Sequence, residues 1–131
     1  MSTVRLAFSA APQYVRTARL VAAAVARRAG VADELLHDVR LAIGEACGRA
    51  VARHRRHGLD ALIRVEMTDD GPYTVRVTDA YDGGGSDNDD DEGDAADQMA
   101  ETVLAGLVDD LTVDGGEVRM SWPVRRRLAW R

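Results

Sequence analysis

The chain has 131 residues, enough for one domain with a single core and too few for two of ordinary size. Its net charge of −5 is segregated: eight of its 22 acids fall between Asp82 and Asp97 and four arginines stand in the last seven positions, so the balance points to no class of partner. Apolar residues make up 46% but only six are aromatic, which predicts a core of closely spaced small side chains. No apolar run approaches the roughly 18 residues of a membrane span. The single cysteine, Cys47, excludes a disulfide within the chain and makes a reducing cytoplasm the expected compartment.

Val4, Leu6 and Phe8 alternate with polar residues and predict a strand with one face buried. Ser9 then precedes a helix expected over about 11–28, with Pro12 where a first turn tolerates it and Gly30 closing it. A second helix is predicted over about 32–56, because Leu36, Val39, Ile43, Ala46, Cys47, Ala50 and His54 recur at helical spacing. Strands at about 61–68 and 73–79 follow, joined by Asp69-Asp70-Gly71-Pro72, where the glycine supplies positive φ.

Residues 82–97 are acidic, nearly free of apolar groups, and predict a loop with too little buried surface to order itself. Asp87, Asp89 and Asp91 have the spacing of alternate calcium ligands, but counting from Asp87 the sixth and twelfth places hold Glu92 and Gln98 where such a loop needs Gly and Glu. Met99, Val103, Leu104 and Leu107 predict a third helix over about 96–110, with Gly106 as a packing contact inside it. Strands at about 111–114 and 117–122 form a hairpin around Gly115-Gly116, with Trp122 expected at the sheet edge and a basic tail over 124–131. The fold class is therefore α+β, a two-layer sandwich with three helices on one face of a mixed or antiparallel sheet.

Chemistry-bearing clusters are few. His37, His54 and His57 offer one close pair beside arginines and no thiolate, so no metal site is expected. The basic residues lack aromatic interleaving, so no direct nucleic-acid contact is expected either.

Several segments at matching spacing carry a resemblance that reaches to about Pro123. Phe8-Ser9-Ala10 and Ala18-Arg19 stand at the start, Glu45-Ala46 in the second helix, Val75, Val77 and Asp79 on a strand, and L-V-D-D-L-T-V-D at Leu107 to Asp114. Together these resemble the anti-sigma serine-kinase family, a branch of the GHKL (Bergerat) ATPases. The resemblance implies a single domain over residues 1–123, with the acidic 82–97 segment in place of the family's ATP lid. It implies a general base at Glu45 and an adenine-reading carboxylate at Asp79.

Three departures make the chain look like a degenerate member. Arg49 stands where the family's E-A-x-x-N motif has the magnesium-holding Asn. A guanidinium has no lone pair to give a metal. Four residues after Glu45, it is expected to pair with that acid. In the family's D-x-G-x-G, Asp79 and Gly83 remain, but Tyr81 replaces the first glycine and its ring is expected to crowd the site. Gln98, Met99 and Ala100 stand where a G-x-G should cradle phosphates.

The implied function is an anti-sigma-like regulator that works by partner switching, as a homodimer, with an anti-anti-sigma protein of the STAS fold and with a sigma factor. Neither ATP nor magnesium is expected as a cofactor. Arg19 on the first helix matches the arginine by which the family contacts its partners, and Arg16 and Gln13, one and two turns before it, are taken with it as the partner-binding residues. The acidic segment is expected to mimic an anionic ligand by folding toward Arg49 or Arg53. Two alternatives stand beside this reading: an active serine kinase of the STAS protein using Glu45, and an unrelated α+β domain that binds a cation through its acidic loop.

Overall fold

The structure, a computed structural model, describes residues 2–81 and 91–125. Its elements run β1 (Thr3–Phe8), α1 (Gln13–Ala29), α2 (Asp33–His57), β2 (Ile63–Thr68), β3 (Tyr73–Thr78), α3 (Asp91–Ala105), β4 (Asp110–Asp114) and β5 (Glu117–Trp122). The strands form one five-stranded sheet in the order β1-β2-β3-β5-β4, antiparallel at every pairing, so the mixed alternative is not the one adopted. Three helices pack on one face of it.

Period-two alternation fixes which face the helices cover. Leu6, Val65, Val77, Val118 and Val113 lie opposite one another across the five strands, and Val4, Met67, Val75, Met120 and Leu111 form the next such row. The central members of both rows are buried, and each such side chain contributes about 1.5–3 kcal/mol of apolar burial. The intervening residues, among them Arg5, Glu66, Arg76 and Arg119, share the opposite face.

Against the apolar face α1 presents Ala18, Ala22 and Ala26, all fully buried, and α2 presents Val39, Ala42, Ile43, Ala46, Cys47 and Ala50. The small side chains let the two helix backbones approach closely, as the Ala-rich composition predicts. The Tyr73 hydroxyl donates to the Ala22 carbonyl at 2.8 Å and ties α1 to the sheet through a buried bond. Gly30 ends α1 in the left-handed conformation, φ 101°, with its N–H on the Ala26 and Arg27 carbonyls.

Four sequence expectations need correction. Pro12 is the N-cap of α1 and makes no side-chain cap bond. The helix α3 starts at Asp91, so the last part of the acidic segment is helical, and it stops at Ala105. Gly106 thus follows α3, its N–H on the Val103 carbonyl at 3.1 Å. Met99 and Val103 are exposed; the buried face of α3 carries Gly93, Ala100 and Leu104. The large apolar residues misled the reading because α3 turns small residues and Asp97 toward α2. Trp122 is not at an edge: β5 lies between β3 and β4, and the buried indole donates to the Leu107 carbonyl at 2.9 Å. Trp130 and the rest of the tail from residue 126 lie outside the described residues.

Candidate functional site

The C-terminal half of α2 is unlike the rest of the core. Arg49, Arg53 and His57 recur every four residues and so share one face of the helix, with His54 beside them. Three other segments meet that face: the chain leaving β3 at Asp79 to Tyr81, the β4–β5 turn at Gly115-Gly116, and α3 through Asp97.

Arg53 is the centre. Its side chain is 4% exposed, with Nη1 3.8 Å from Asp79 Oδ2 and donating to the Gly115 carbonyl at 3.4 Å. Its Nε lies 3.8 Å from Asp97 Oδ2. The Tyr81 ring lies over the guanidinium, 4.5 Å from Cζ to the ring centroid, and stacks on the His57 imidazole at 4.1 Å with 10° between the planes.

Asp79 is correspondingly engaged. Its side chain is 2% exposed, its Oδ1 accepts the Tyr81 N–H at 2.8 Å, and its own N–H donates to the Gly116 carbonyl at 2.8 Å. Gly116 is required there: a Cβ on it would stand 2.7 Å from the Asp79 carbonyl oxygen and 2.9 Å from Oδ1. His54 is fully buried, and its Nε2 accepts the Ala80 N–H at 2.9 Å. With Nε2 accepting, the ring proton is on Nδ1, which has no hydrogen-bond partner among the described residues.

The pair expected between Arg49 and Glu45 does not form. Arg49 turns to α3, with Nε 3.5 Å from Asp97 Oδ1 and a side chain 6% exposed. A buried guanidinium gains more from an acid across the helix interface than from one that stays half in solvent. Burial and the neighbouring Arg53 charge hold Arg49 below the ordinary arginine value, while Asp97, Asp79 and Glu101 pull it back. Glu45 is half-buried and has no ion pair or hydrogen bond among the described residues.

The remaining predicted site residues separate. Gln13, Arg16 and Arg19 are all exposed on α1, away from Arg53, and Arg19 lies flat against α2, where a Cβ on Gly44 would come within 2.9 Å of its Cδ. Gly83, Asp87 and Asp89 lie outside the described residues. Of Gln98, Met99 and Ala100, only Ala100 is buried. Asp97, the last acid of the 82–97 segment, faces Arg49 and Arg53 from within α3, whereas residues 82–90 of the segment expected to fold toward them lie outside the described residues.

Residues 8–122 match the histidine kinase-like ATPase domain. The chain belongs to that family. None of the curated proteins compared with it matches the chain.

Membership of the histidine kinase-like ATPase family implies ATP with magnesium, and the residues here do not fit that pair. Magnesium takes oxygen ligands, and the Arg49 guanidinium offers five N–H donors and no acceptor. The carboxylate that would read adenine accepts from Tyr81 and faces Arg53. Sequence reasoning named Arg49, Asp79 and Tyr81 for the site, but placed His54 only on the packed helix face and Gly116 only in a hairpin turn, and singled out neither His57 nor Asp97. The four-residue spacing of Arg49, Arg53 and His57 was a usable signal for His57. Asp97 and Gly116 join through tertiary packing and have no local signature.

Proposed function

We propose that the chain is an anti-sigma-like regulatory binding protein that acts by partner switching, exchanging a sigma factor for an anti-anti-sigma protein of the STAS fold, without ATP, magnesium or phosphotransfer. The observation that carries this reading is the engagement of Asp79: its buried carboxylate faces Arg53 at 3.8 Å and accepts from Tyr81 at 2.8 Å, so a base could reach it only by displacing both. Arg49 adds a second obstacle, a charge that repels the metal. The partner surface of this reading is the exposed face of α1 carrying Gln13, Arg16 and Arg19, with Arg19 passing close over Gly44. Homodimerisation and a cytoplasmic location belong to the same proposal.

The test is titration calorimetry with ATP and with ADP in the presence of magnesium, followed by co-elution with purified sigma factors and STAS proteins of the same genome. The expected result is no magnesium-dependent nucleotide binding, a complex that forms without nucleotide, and its loss in Arg19→Ala. Micromolar magnesium-ATP affinity would overturn the nucleotide-free part. Unchanged partner affinity in Arg19→Ala would remove the α1 surface.

A second reading, an active serine kinase, is favoured by one observation: Glu45 makes no ion pair or hydrogen bond among the described residues, so its carboxylate is not held by Arg49 as the sequence suggests. Transfer of phosphate to a STAS protein, lost in Glu45→Gln, would establish it.

A further inference from the structure

Arg49 and Arg53 bury two guanidinium groups one helical turn apart, and among the described residues a single carboxylate faces both. Asp97 directs Oδ1 to the Arg49 Nε and Oδ2 to the Arg53 Nε. The two distances, 3.5 and 3.8 Å, are longer than the 2.7–2.9 Å of a charge-assisted hydrogen bond, and neither Nε has a hydrogen-bond partner among the described residues. An oxyanion group therefore fits between the two arginines, and the one present stands short of full contact with either. Asp79 and Asp97 balance the two positive charges, but Asp79 is shared with the Tyr81 N–H.

We propose that Arg49 and Arg53 form a magnesium-independent oxyanion site that takes a compact phosphate-class dianion, with Asp97 as its tethered internal occupant. The planar forks of two arginines suit phosphate oxygens in a way that ammonium groups do not. A free anion enters by replacing the Asp97 carboxylate, which detaches this part of α3 from α2. The tethered carboxylate competes at an effective concentration of about millimolar or more, so the intact protein binds such an anion more weakly than a variant without that charge. Arg49 stands where the family's metal-dependent pocket has the magnesium-holding Asn, and the site stands whether or not the chain switches partners.

Pyrophosphate is the probe, with EDTA present throughout, read by calorimetry and by thermal shift on the full chain. Wild type binds weakly. Asp97→Asn, which keeps the shape and removes the competing charge, binds at least tenfold more tightly. Arg49→Lys in the Asp97→Asn background keeps the charge, loses the fork, and weakens binding at least fivefold. Asp97→Ser serves in place of Asp97→Asn if the amide variant does not fold, as judged by circular dichroism. Absence of binding at 10 mM pyrophosphate in wild type and in both Asp97 variants overturns the proposal. So does binding that is indifferent to Arg49→Lys, which would place the anion elsewhere. A comparison arm with ATP separates free from nucleotide phosphate: ATP in EDTA matching pyrophosphate supports a site that reads phosphate alone. Micromolar ATP affinity that appears only with magnesium bears on the functional reading above, and leaves the pyrophosphate result to decide this one.

Discussion

Two groups of four charged side chains, each with two arginines and two acids, sit on opposite sides of the same sheet. On the open face Arg5, Glu66, Arg76 and Glu117 form a ladder across β1, β2, β3 and β5, with separations of 3.0, 3.9 and 3.6 Å. Under the helices Arg49, Arg53, Asp79 and Asp97 stand 3.5 to 3.8 Å apart. The shortest contact is in the open ladder, yet its side chains are 33–74% exposed, whereas those of the inner group are 2–20% exposed. Distance alone would rank the ladder first. Solvent reverses the order, because an exposed pair is screened and gives up little hydration, while a buried charge that loses its partner has no water to replace it.

The largest effect is therefore expected from Arg53→Ala. It leaves the buried Asp79 carboxylate without its cation and costs about 3–5 kcal/mol in urea unfolding. Adding Asp79→Asn to Arg53→Ala recovers part of that loss, since the stranded charge is gone. A cost below about 1 kcal/mol for Arg53→Ala, or two strictly additive substitutions, would show that the inner group is hydrated and would erase the contrast.

The apolar half of the molecule was the legible half. Period-two and helical spacing located all five strands and the first two helices, because Val65, Val77, Ile43 and Ala46 are read by pattern alone. The third helix was misread at both its ends and on its face, since Gly93, Asp97 and Ala100 carry no apolar signal and acquire their inward face only by packing against Arg49 and Arg53. At the site the identities of Arg49 and Asp79 were legible, whereas their partners were not. Local spacing favoured Glu45 for Arg49, and the fold supplied Asp97, 48 positions away, through a more complete burial. Pairing inside a core is a property of three-dimensional neighbours, and a helix face shows only half of it.

A third kind of ionisable group sharpens the contrast, one that is buried with no counter-charge at all. Cys47 lies fully buried beside Ala46 and Ala50, and burial pushes its thiol from 9.0 up to about 12. The folded protein keeps this proton across pH 9 to 12, whereas the unfolded chain loses it above about pH 9. The unfolded state then binds fewer protons, so stability falls as pH rises through this window. Burial also raises the Tyr73 hydroxyl, which adds to the fall at still higher pH. The Cys47 share is the difference between wild type and Cys47→Ala, and it amounts to about 1 kcal/mol between pH 9 and 10. Parallel stability curves for the two proteins over that interval would mean that the thiol is reachable by water in the native state.

The smallest effect belongs to the shortest ion pair. Arg5 Nε donates to Glu66 Oε2 at 3.0 Å from a side chain that is 74% exposed, at the edge strand β1. Arg5→Ala is expected to cost less than about 0.5 kcal/mol, with the loss shrinking further at high salt, since Glu66 keeps water and the more distant Arg76 as partners. The decisive measurement is the same urea titration used for Arg53→Ala, run at low and at high ionic strength. A loss above about 2 kcal/mol that resists salt would mean that the outer face is covered in solution, and its charges would then belong with those under the helices.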